Sequence, residues 1–209
     1  QPNETLVNAL FPAMEQILSQ VLQGALGSEP AQVDAAGNIA RLVSKCVWSG
    51  AMFIVPQYFK VRDNVLRWVT MLNEIVRRDV QALLPEDDED RADYSWIKAK
   101  KWCVRYFHRL FSRFGNFKFV AEEDKDFCGI FVNDLSTTLL QTILEVVSLR
   151  MNGKYCSDRM MMYGINYLGC AAEIGVTWVH LKPHLETVLL KICFPVLYFN
   201  DQDYELWTE

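Results

Sequence analysis

The densest group of chemically active side chains is an acidic run that starts at Glu86 and ends at Asp93. Its six carboxylates, within eight residues, belong to Glu86, Asp87, Asp88, Glu89, Asp90 and Asp93. Such a run repels itself, so we expect it to stay extended unless cations neutralise it. It does not fit a calcium loop, because the glycine and the alternate-residue spacing of the ligands are missing. It predicts either a solvated, solubilising loop or a flexible clasp for a basic protein.

A second group is basic and follows directly. On a helix with 100° per residue, five cations fall within a sector of about 120°. This basic stripe consists of Lys98, Lys101, Arg105, Arg109 and Arg113. Apolar residues centre on the opposite side, so the pattern predicts a strongly amphipathic helix. Trp102 lies beside the stripe, where it could stack on a guanidinium or contact a partner. The stripe is typical of a solvated face, and it could also fold against the acidic run and mask it.

Side chains that could catalyse a reaction or bind a metal are few. His108 lies near the basic stripe, and His180 and His184 are separated by Pro183, which disfavours a shared helical face. None has the carboxylate, cysteine or serine context that a metal site or a nucleophile needs. No glycine-rich phosphate loop occurs. The six cysteines lack a C-x-x-C pair and predict buried thiols in a reducing compartment. We therefore predict a non-enzyme without cofactor or metal.

The elements that would position these groups are helices. Apolar residues recur at helical spacing throughout, and proline, glycine, serine and asparagine mark the ends. The predicted helices cover about 11–24, 28–47, 61–78, 96–114, 133–150, 157–174 and 183–199, with a cap for an eighth at 200–201. Ser95 and Ser157 are predicted N-caps, and Gly115 is predicted in the left-handed conformation. No segment alternates as a strand does.

The composition is that of one globular helical assembly. Hydrophobic residues make up 51% of the 209, which is enough for a sizeable core. No apolar run is long enough to predict a membrane span. The net charge of −5 argues against direct binding of nucleic acid.

Helix pairs of this length favour an all-α solenoid of the HEAT or armadillo type over a closed bundle. Their spacing is looser than the usual repeat of about 40–47 residues in such solenoids.

Three local patterns lie in order along residues 60–209. The first is the acidic run followed by Trp96-Ile-Lys-Ala-Lys-Lys-Trp102 and Arg109-Leu-Phe-Ser-Arg-Phe-Gly115. The second is Thr177-Trp-Val-His-Leu-Lys-Pro183, and the third runs from Phe194-Pro195 to Leu206-Trp207. Together they resemble the importin-β superfamily of nuclear transport receptors, in particular the branch of importins seven and eight. Residues 1–60 match that branch only in helical character.

The resemblance implies an all-α HEAT-repeat solenoid, in which residues 1–209 form a single segment of a longer chain with an acidic loop at 80–95. It implies a receptor that carries protein cargo through the nuclear pore under the control of Ran-GTP. The implied partners are the GTP form of the small GTPase Ran, basic protein cargo and nuclear pore proteins, with no membrane. The implied location is the cytoplasm and nucleus, between which it shuttles, and the nuclear envelope. The family's amino-terminal repeats, which make the main Ran contact, are not in this sequence.

The acidic run, the basic stripe and Trp102 are the expected protein-binding residues. An alternative is a HEAT scaffold or regulatory interaction platform unrelated to transport, because the same helical physics serves many partners.

Overall fold

The computed structural model describes residues 4–197, which form helices joined by short connections. In chain order the α-helices are α1 (Glu4–Leu22), α2 (Pro30–Ala51), α3 (Gln57–Lys60), α4 (Arg62–Arg77), α5 (Asp88–Asp93), α6 (Ser95–Phe114), α7 (Lys125–Ile130), α8 (Ser136–Val147), α9 (Asp158–Ala172), α10 (Gly175–Leu181), α11 (Leu185–Thr187) and α12 (Phe194–Leu197). Turns of 3-10 helix occupy Gln81–Leu83, Glu122–Asp124, Arg150–Asn152 and Lys182–His184, and π-helical turns occupy Phe131–Leu135 and Val188–Cys193. These residues contain no strand, so the predicted all-α class is confirmed.

Local sequence signals set some helix boundaries and miss others. Ser157 caps α9 as predicted, since its hydroxyl accepts a hydrogen bond from the Met160 amide at 3.4 Å. The predicted start of the first helix near Pro12 is wrong. The helix begins at Glu4 because Val7 and Phe11 already pack into the core, and Pro12 lies on an exposed position inside it.

The segment before residue 133 is helical as well, which corrects the predicted start of the fifth helix. Glu122–Val147 forms one stretch of 26 residues, with the π-helical turn in its middle. Phe127 and Phe131 are buried there, so the core extends this helix toward its amino end. By length and composition the stretch could cross a membrane, but 56% of its most apolar window is buried inside the protein, as in a core helix.

The helices stack in two rows. In the first row α6 packs between α2 and α9, and in the second row α4 packs between α1 and α8. Each helix of one row also pairs with a helix of the other row: α1 contacts α2, α4 contacts α6, and α8 contacts α9. Helix pairs that each contact only their neighbours are the unit of a solenoid, whereas a bundle surrounds one axis. The predicted HEAT-type array is therefore confirmed for residues 4–197.

Ion pairs link the helices of the second row. The Arg67 guanidinium lies 2.7 Å from a Glu15 carboxylate oxygen and joins α4 to α1. At the other end of α4, Arg77 binds Glu145 of α8, also at 2.7 Å. Exposed pairs of this kind contribute only about 0–1 kcal/mol each, so they align the row more than they stabilise it.

Candidate protein-binding surface

Helix α6 carries half of the predicted protein-binding residues and lies in the centre of the first row. Its apolar side, which includes Phe107, Leu110 and Phe111, is buried against α2, α4 and α9, so the predicted amphipathic helix is confirmed. Because α2 and α9 flank the opposite side, the basic stripe is not a solvated face. Its members are all half-buried: Lys98, Lys101, Arg105, Arg109 and Arg113.

Close packing determines both ends of α6. Ser95 is the first helical residue and not the predicted cap, and its buried hydroxyl has no hydrogen-bond partner among the described residues. Gly37 of α2 packs against it so closely that a Cβ on Gly37 would lie 2.1 Å from the hydroxyl oxygen. Gly115 adopts φ −74° and ψ −20°, so the predicted left-handed conformation is wrong. Glycine is needed there for space, since a Cβ would lie 2.6 Å from the Phe111 carbonyl oxygen.

Two residues of the Trp96–Trp102 pattern anchor α6 to its neighbours. Trp96 is fully buried, and its indole Nε1 donates a hydrogen bond to the Val33 carbonyl of α2 at 2.8 Å. Lys100 is 5% exposed, and its ammonium donates to the carbonyl of Arg78, the C-cap residue that follows α4. The sequence interpretation missed this role of Lys100. Helical spacing could have indicated it, because Lys100 follows Trp96 by four residues and precedes Cys103 by three, which places it on the apolar side of α6.

The burial of Lys100 predicts a pH-dependent stability. Burial lowers the pKa of its ammonium from 10.5 to about 8, opposed by the carboxylate of Asp79. Below pH 8, Lys100 is protonated in both the folded and the unfolded protein. Between pH 8 and pH 10.5, a larger fraction of Lys100 is protonated in the unfolded protein than in the folded protein. The contribution of Lys100 to the free energy of unfolding should therefore rise by about 1 kcal/mol per pH unit between pH 8 and pH 10.5.

The Lys100→Met variant should lose this rise, which urea unfolding at pH 7.5 and pH 9 would measure. Wild type and variant must be compared at each pH, because burial also raises the pKa of the Cys103 thiol to about 12 and that of Cys156 to about 11, and their effect on stability, which both proteins share, begins near the unfolded thiol pKa of about 8.5. Both thiols make stability fall at higher pH, since the unfolded protein releases their protons first. An equal change of stability with pH in the variant and the wild type would contradict the assignment to Lys100.

The distal end of the basic stripe binds backbone carbonyls. Arg109 donates through Nε and Nη2 to the Met52 carbonyl, at 3.2 and 2.8 Å. Arg113 donates through Nη1 to the Phe53 carbonyl at 2.5 Å. Both carbonyls directly follow the end of α2 at Ala51, where a helix leaves acceptors without partners. These two predicted site residues therefore hold the chain that leaves α2.

In the middle of α6, the predicted residues Trp102 and Arg105 form an aromatic–cation cluster with α2. The rings of Trp102 and Trp48 lie 5.1 Å apart between centroids. The Arg105 guanidinium lies 3.8 Å from the centre of the Trp48 ring and 5.3 Å from that of Trp102. Lys45 and Lys101 lie 5.9 and 5.8 Å from the Trp102 ring. The sequence analysis did not identify Trp48 and Lys45 as site residues, because the sequence of α2 does not indicate which other helix packs against α2.

The acidic run contains a short helix, which corrects the predicted extended loop. Asp87 caps α5, because its carboxylate accepts hydrogen bonds from the amides of Glu89 and Asp90 at 2.8 and 3.4 Å. Arg91 binds the Asp88 carboxylate at 2.7 Å. Carboxylates in a first helical turn are favourable, and this gain offsets part of their repulsion. The predicted position on the connection between two paired helices, α4 and α6, is confirmed.

The predicted pairing of the acidic run with the basic stripe occurs only at one end. Asp93 binds Lys98 at 2.9 Å, and this hydrogen bond lowers the pKa of the Asp93 carboxyl. Lys101 borders an open groove between α5 and the start of α9. The charged residues of that groove are Asp88, Glu89, Asp93, Lys101, Arg150, Asp158 and Arg159. The three arginines of the stripe lie further along α6, so the acidic run does not cover the stripe as a whole.

The histidines form no catalytic arrangement in the described part of the chain. The ring of His108 stacks 6.1 Å from that of Tyr163, and burial, followed by the charge of Arg109, lowers its pKa. His180 and His184 are exposed. Within residues 4–197 no three His, Cys, Asp or Glu side chains are placed to hold a metal ion.

The two remaining sequence patterns lie at the carboxyl end. In the second pattern, Thr177 is buried, and its hydroxyl donates to the Ala171 carbonyl at 2.7 Å, which ties α10 to α9. The third pattern extends past Leu197, and that part, with the predicted eighth helix, lies outside the described residues.

Comparison with known proteins relates the whole chain to importins. It is 29% identical over 209 residues to the importin beta-like SAD2 homolog of Arabidopsis thaliana, covering 100% of this chain and 20% of that protein. It is 26% identical over 201 residues to importin-8 of Mus musculus, covering 96% of this chain and 20% of that protein. It is 24% identical over 211 residues to the probable importin-7 homolog of Dictyostelium discoideum, covering 97% and 19%.

The chain thus spans about a fifth of the length of these curated relatives. No protein-family model matches it. No solved structure matches it either.

Proposed function

We propose that this chain belongs to the importin-β superfamily and is one solenoid segment of a nuclear transport receptor. The receptor would bind protein cargo and carry it through the nuclear pore under the control of Ran in its GTP form. It would shuttle between cytoplasm and nucleus, contact nuclear pore proteins at the nuclear envelope, and catalyse no reaction. The observation that carries this proposal is the similarity of the entire chain to importins.

The acidic run supplies the binding chemistry for a basic partner. Glu86, Glu89 and Asp90 are exposed, and none of them forms an ion pair with another residue of the described chain. Asp87, Asp88 and Asp93 are used to cap and fix α5, so the three free carboxylates are held on an ordered turn. Basic cargo or a basic side of Ran is the partner that this chemistry would take.

The physical advantage of this arrangement lies in the encounter step. Closely spaced carboxylates raise the local concentration of a Lys- or Arg-rich partner, and they lose mutual repulsion when it binds. Screening by salt weakens both effects over a Debye length of about 8 Å at physiological ionic strength. Binding through this surface should therefore be strongly salt-dependent.

The test is the triple variant Glu86→Gln, Glu89→Gln, Asp90→Asn, which removes the free carboxylates and leaves the structural ones in place. Its affinity for Ran-GTP and for a lysine-rich cargo peptide should be measured at low and at physiological salt in the protein that carries this chain. We expect Kd for at least one of the two to rise about three- to tenfold at low salt, with a shallower salt dependence.

A charge-matched control is the variant Glu123→Gln, Asp126→Asn, Glu173→Gln, whose carboxylates are exposed elsewhere on the surface and form no ion pair within residues 4–197. It should bind like the wild type. If the acidic-run variant also keeps both affinities and both salt slopes, the run is only a solvated connection and the proposed role fails.

A further inference from the structure

A strip of unpaired cations and aromatic rings runs across the first row of helices. We call it the basic-aromatic strip, and its members are Lys45 and Trp48 of α2, Lys101, Trp102 and Arg105 of α6, and Arg159 and Tyr163 of α9. Arg105 is its centre, because its guanidinium lies within 3.8 to 5.5 Å of the ring centres of Trp48, Trp102 and Tyr163. Three different helices thus build one surface.

The cations of this strip lack anionic partners. Helix α6 contains no Asp or Glu in its 20 residues. Within residues 4–197, neither Lys45, Lys101, Arg105 nor Arg159 forms an ion pair with a carboxylate. Burial first, and then the charges of Arg159 and Lys98, lower the pKa of the Lys101 ammonium. The nearby carboxylate of Asp93 opposes this shift.

Arg105 is held in place without using its hydrogen-bond donors. Stacking on Trp48 fixes the plane of the guanidinium and leaves its N–H groups available, as is typical of arginines that recognise carboxylates or phosphates. Arg109 and Arg113, one and two turns further along, bind backbone carbonyls instead. Among the three arginines of the basic stripe, Arg105 is thus the one that has no hydrogen-bond partner in the described chain.

The neighbouring groove indicates which anion the strip accepts. At the amino end of α6, Lys98 already binds the Asp93 carboxylate, and Lys101 borders the groove that Asp88 and Glu89 also line. A polyphosphate backbone carries a charge at every step, so along the strip it would meet these α5 carboxylates, and the net charge of −5 opposes its approach as well; a peptide avoids this repulsion when its carboxylates are confined to the part that contacts Lys101 and Arg105.

We propose that the basic-aromatic strip is a docking site for an acidic peptide segment of a partner protein. Carboxylates of the segment bind Lys101 and Arg105, and an apolar or aromatic side chain of the segment packs on the Trp48–Trp102 pair. This site is opposite in charge to the acidic run and does not depend on its proposed role, so the chain would present two surfaces for partners of opposite sign.

The probe for this site is a short fluorescent peptide in which phenylalanine alternates with pairs of glutamates, and fluorescence anisotropy measures its Kd. The double variant Lys101→Gln, Arg105→Gln should raise Kd at least tenfold and flatten its salt dependence, because charge-assisted hydrogen bonds are lost. Trp102→Leu should raise Kd and leave the salt slope unchanged, since it removes only the ring.

Two further variants make the test specific. Lys45→Gln removes the charge of an exposed lysine of the strip, 5.9 Å from the Trp102 ring, and it should raise Kd about two- to threefold. The matched control Lys182→Gln, Lys191→Gln removes two exposed cations from outside the strip and should leave Kd unchanged.

Three results would overturn the proposal. The first is no saturable peptide binding by the wild-type protein at low salt. The second is an equal loss of affinity in the strip variants and the Lys182/Lys191 control. The third is tighter, Arg105-dependent binding of a single-stranded RNA of the same charge, which would make the strip a nucleic-acid site.

Discussion

Replacing Trp96 with alanine should lower the free energy of unfolding by about 3–5 kcal/mol, the usual cost of removing a fully buried large aromatic residue. Its ring fills the contact between α6 and α2, and its indole N–H donates to the Val33 carbonyl at 2.8 Å. The ring also stacks under the Arg78 guanidinium at 4.6 Å, so the substitution loosens the end of α4 as well. Urea unfolding followed by far-ultraviolet circular dichroism measures the loss.

Trp102→Ala is the matched control, since it removes the same side chain from the same helix. Trp102 is only half-buried, so its loss should be less than half of that at Trp96. Trp96→Phe keeps most of the ring and removes the donor, and it should cost about 1 kcal/mol. Equal losses at positions 96 and 102 would show that Trp96 does not anchor the two helices.

Gly37→Ala should be destabilising by about 1–3 kcal/mol, although alanine is the better helix former. Gly37 lies where α2 crosses the start of α6. A Cβ at this position would overlap Ser95 and lie 2.7 Å from Cδ1 of Trp96. Trp96 is enclosed on all sides, so the helices must separate to admit the methyl group. The same unfolding measurement applies.

Gly169 provides the opposite case on α9. Nothing lies within 4 Å of the position that its Cβ would occupy. Gly169→Ala should therefore stabilise the protein by about 0.5–1 kcal/mol, because alanine loses less backbone entropy in a helix. A stabilising Gly37→Ala would mean that α2 and α6 do not approach each other as closely as described.

Local sequence determined much of the architecture. The apolar spacing and the serine cap place α9 correctly, and the same spacing predicts α6 from Trp96 to Phe114, one residue short of its start at Ser95. Proline and charge also place the acidic run between two paired helices. These properties depend on interactions between residues within a few turns of one another, and such interactions are visible in any short window of sequence.

Tertiary structure alone decided what the charged side of α6 does. Helical spacing separates Lys98, Lys101 and the three arginines from the apolar side, but it does not tell which neighbouring helix borders them. Arg109 donates to a carbonyl 57 residues away in the sequence, directly after the end of α2, and Arg105 stacks on the Trp48 ring within α2.

The two lysines of the central pattern, Lys100 and Lys101, differ for the same reason. Adjacent on the chain, they are turned about 100° apart on the helix, so one enters the core beneath the Arg78 carbonyl and the other borders a groove. A helix exposes a charge to water, to a carbonyl or to another charge according to the elements packed beside it. Those elements come from distant parts of the chain, and for that reason the division of the basic stripe into structural and available cations follows from the fold.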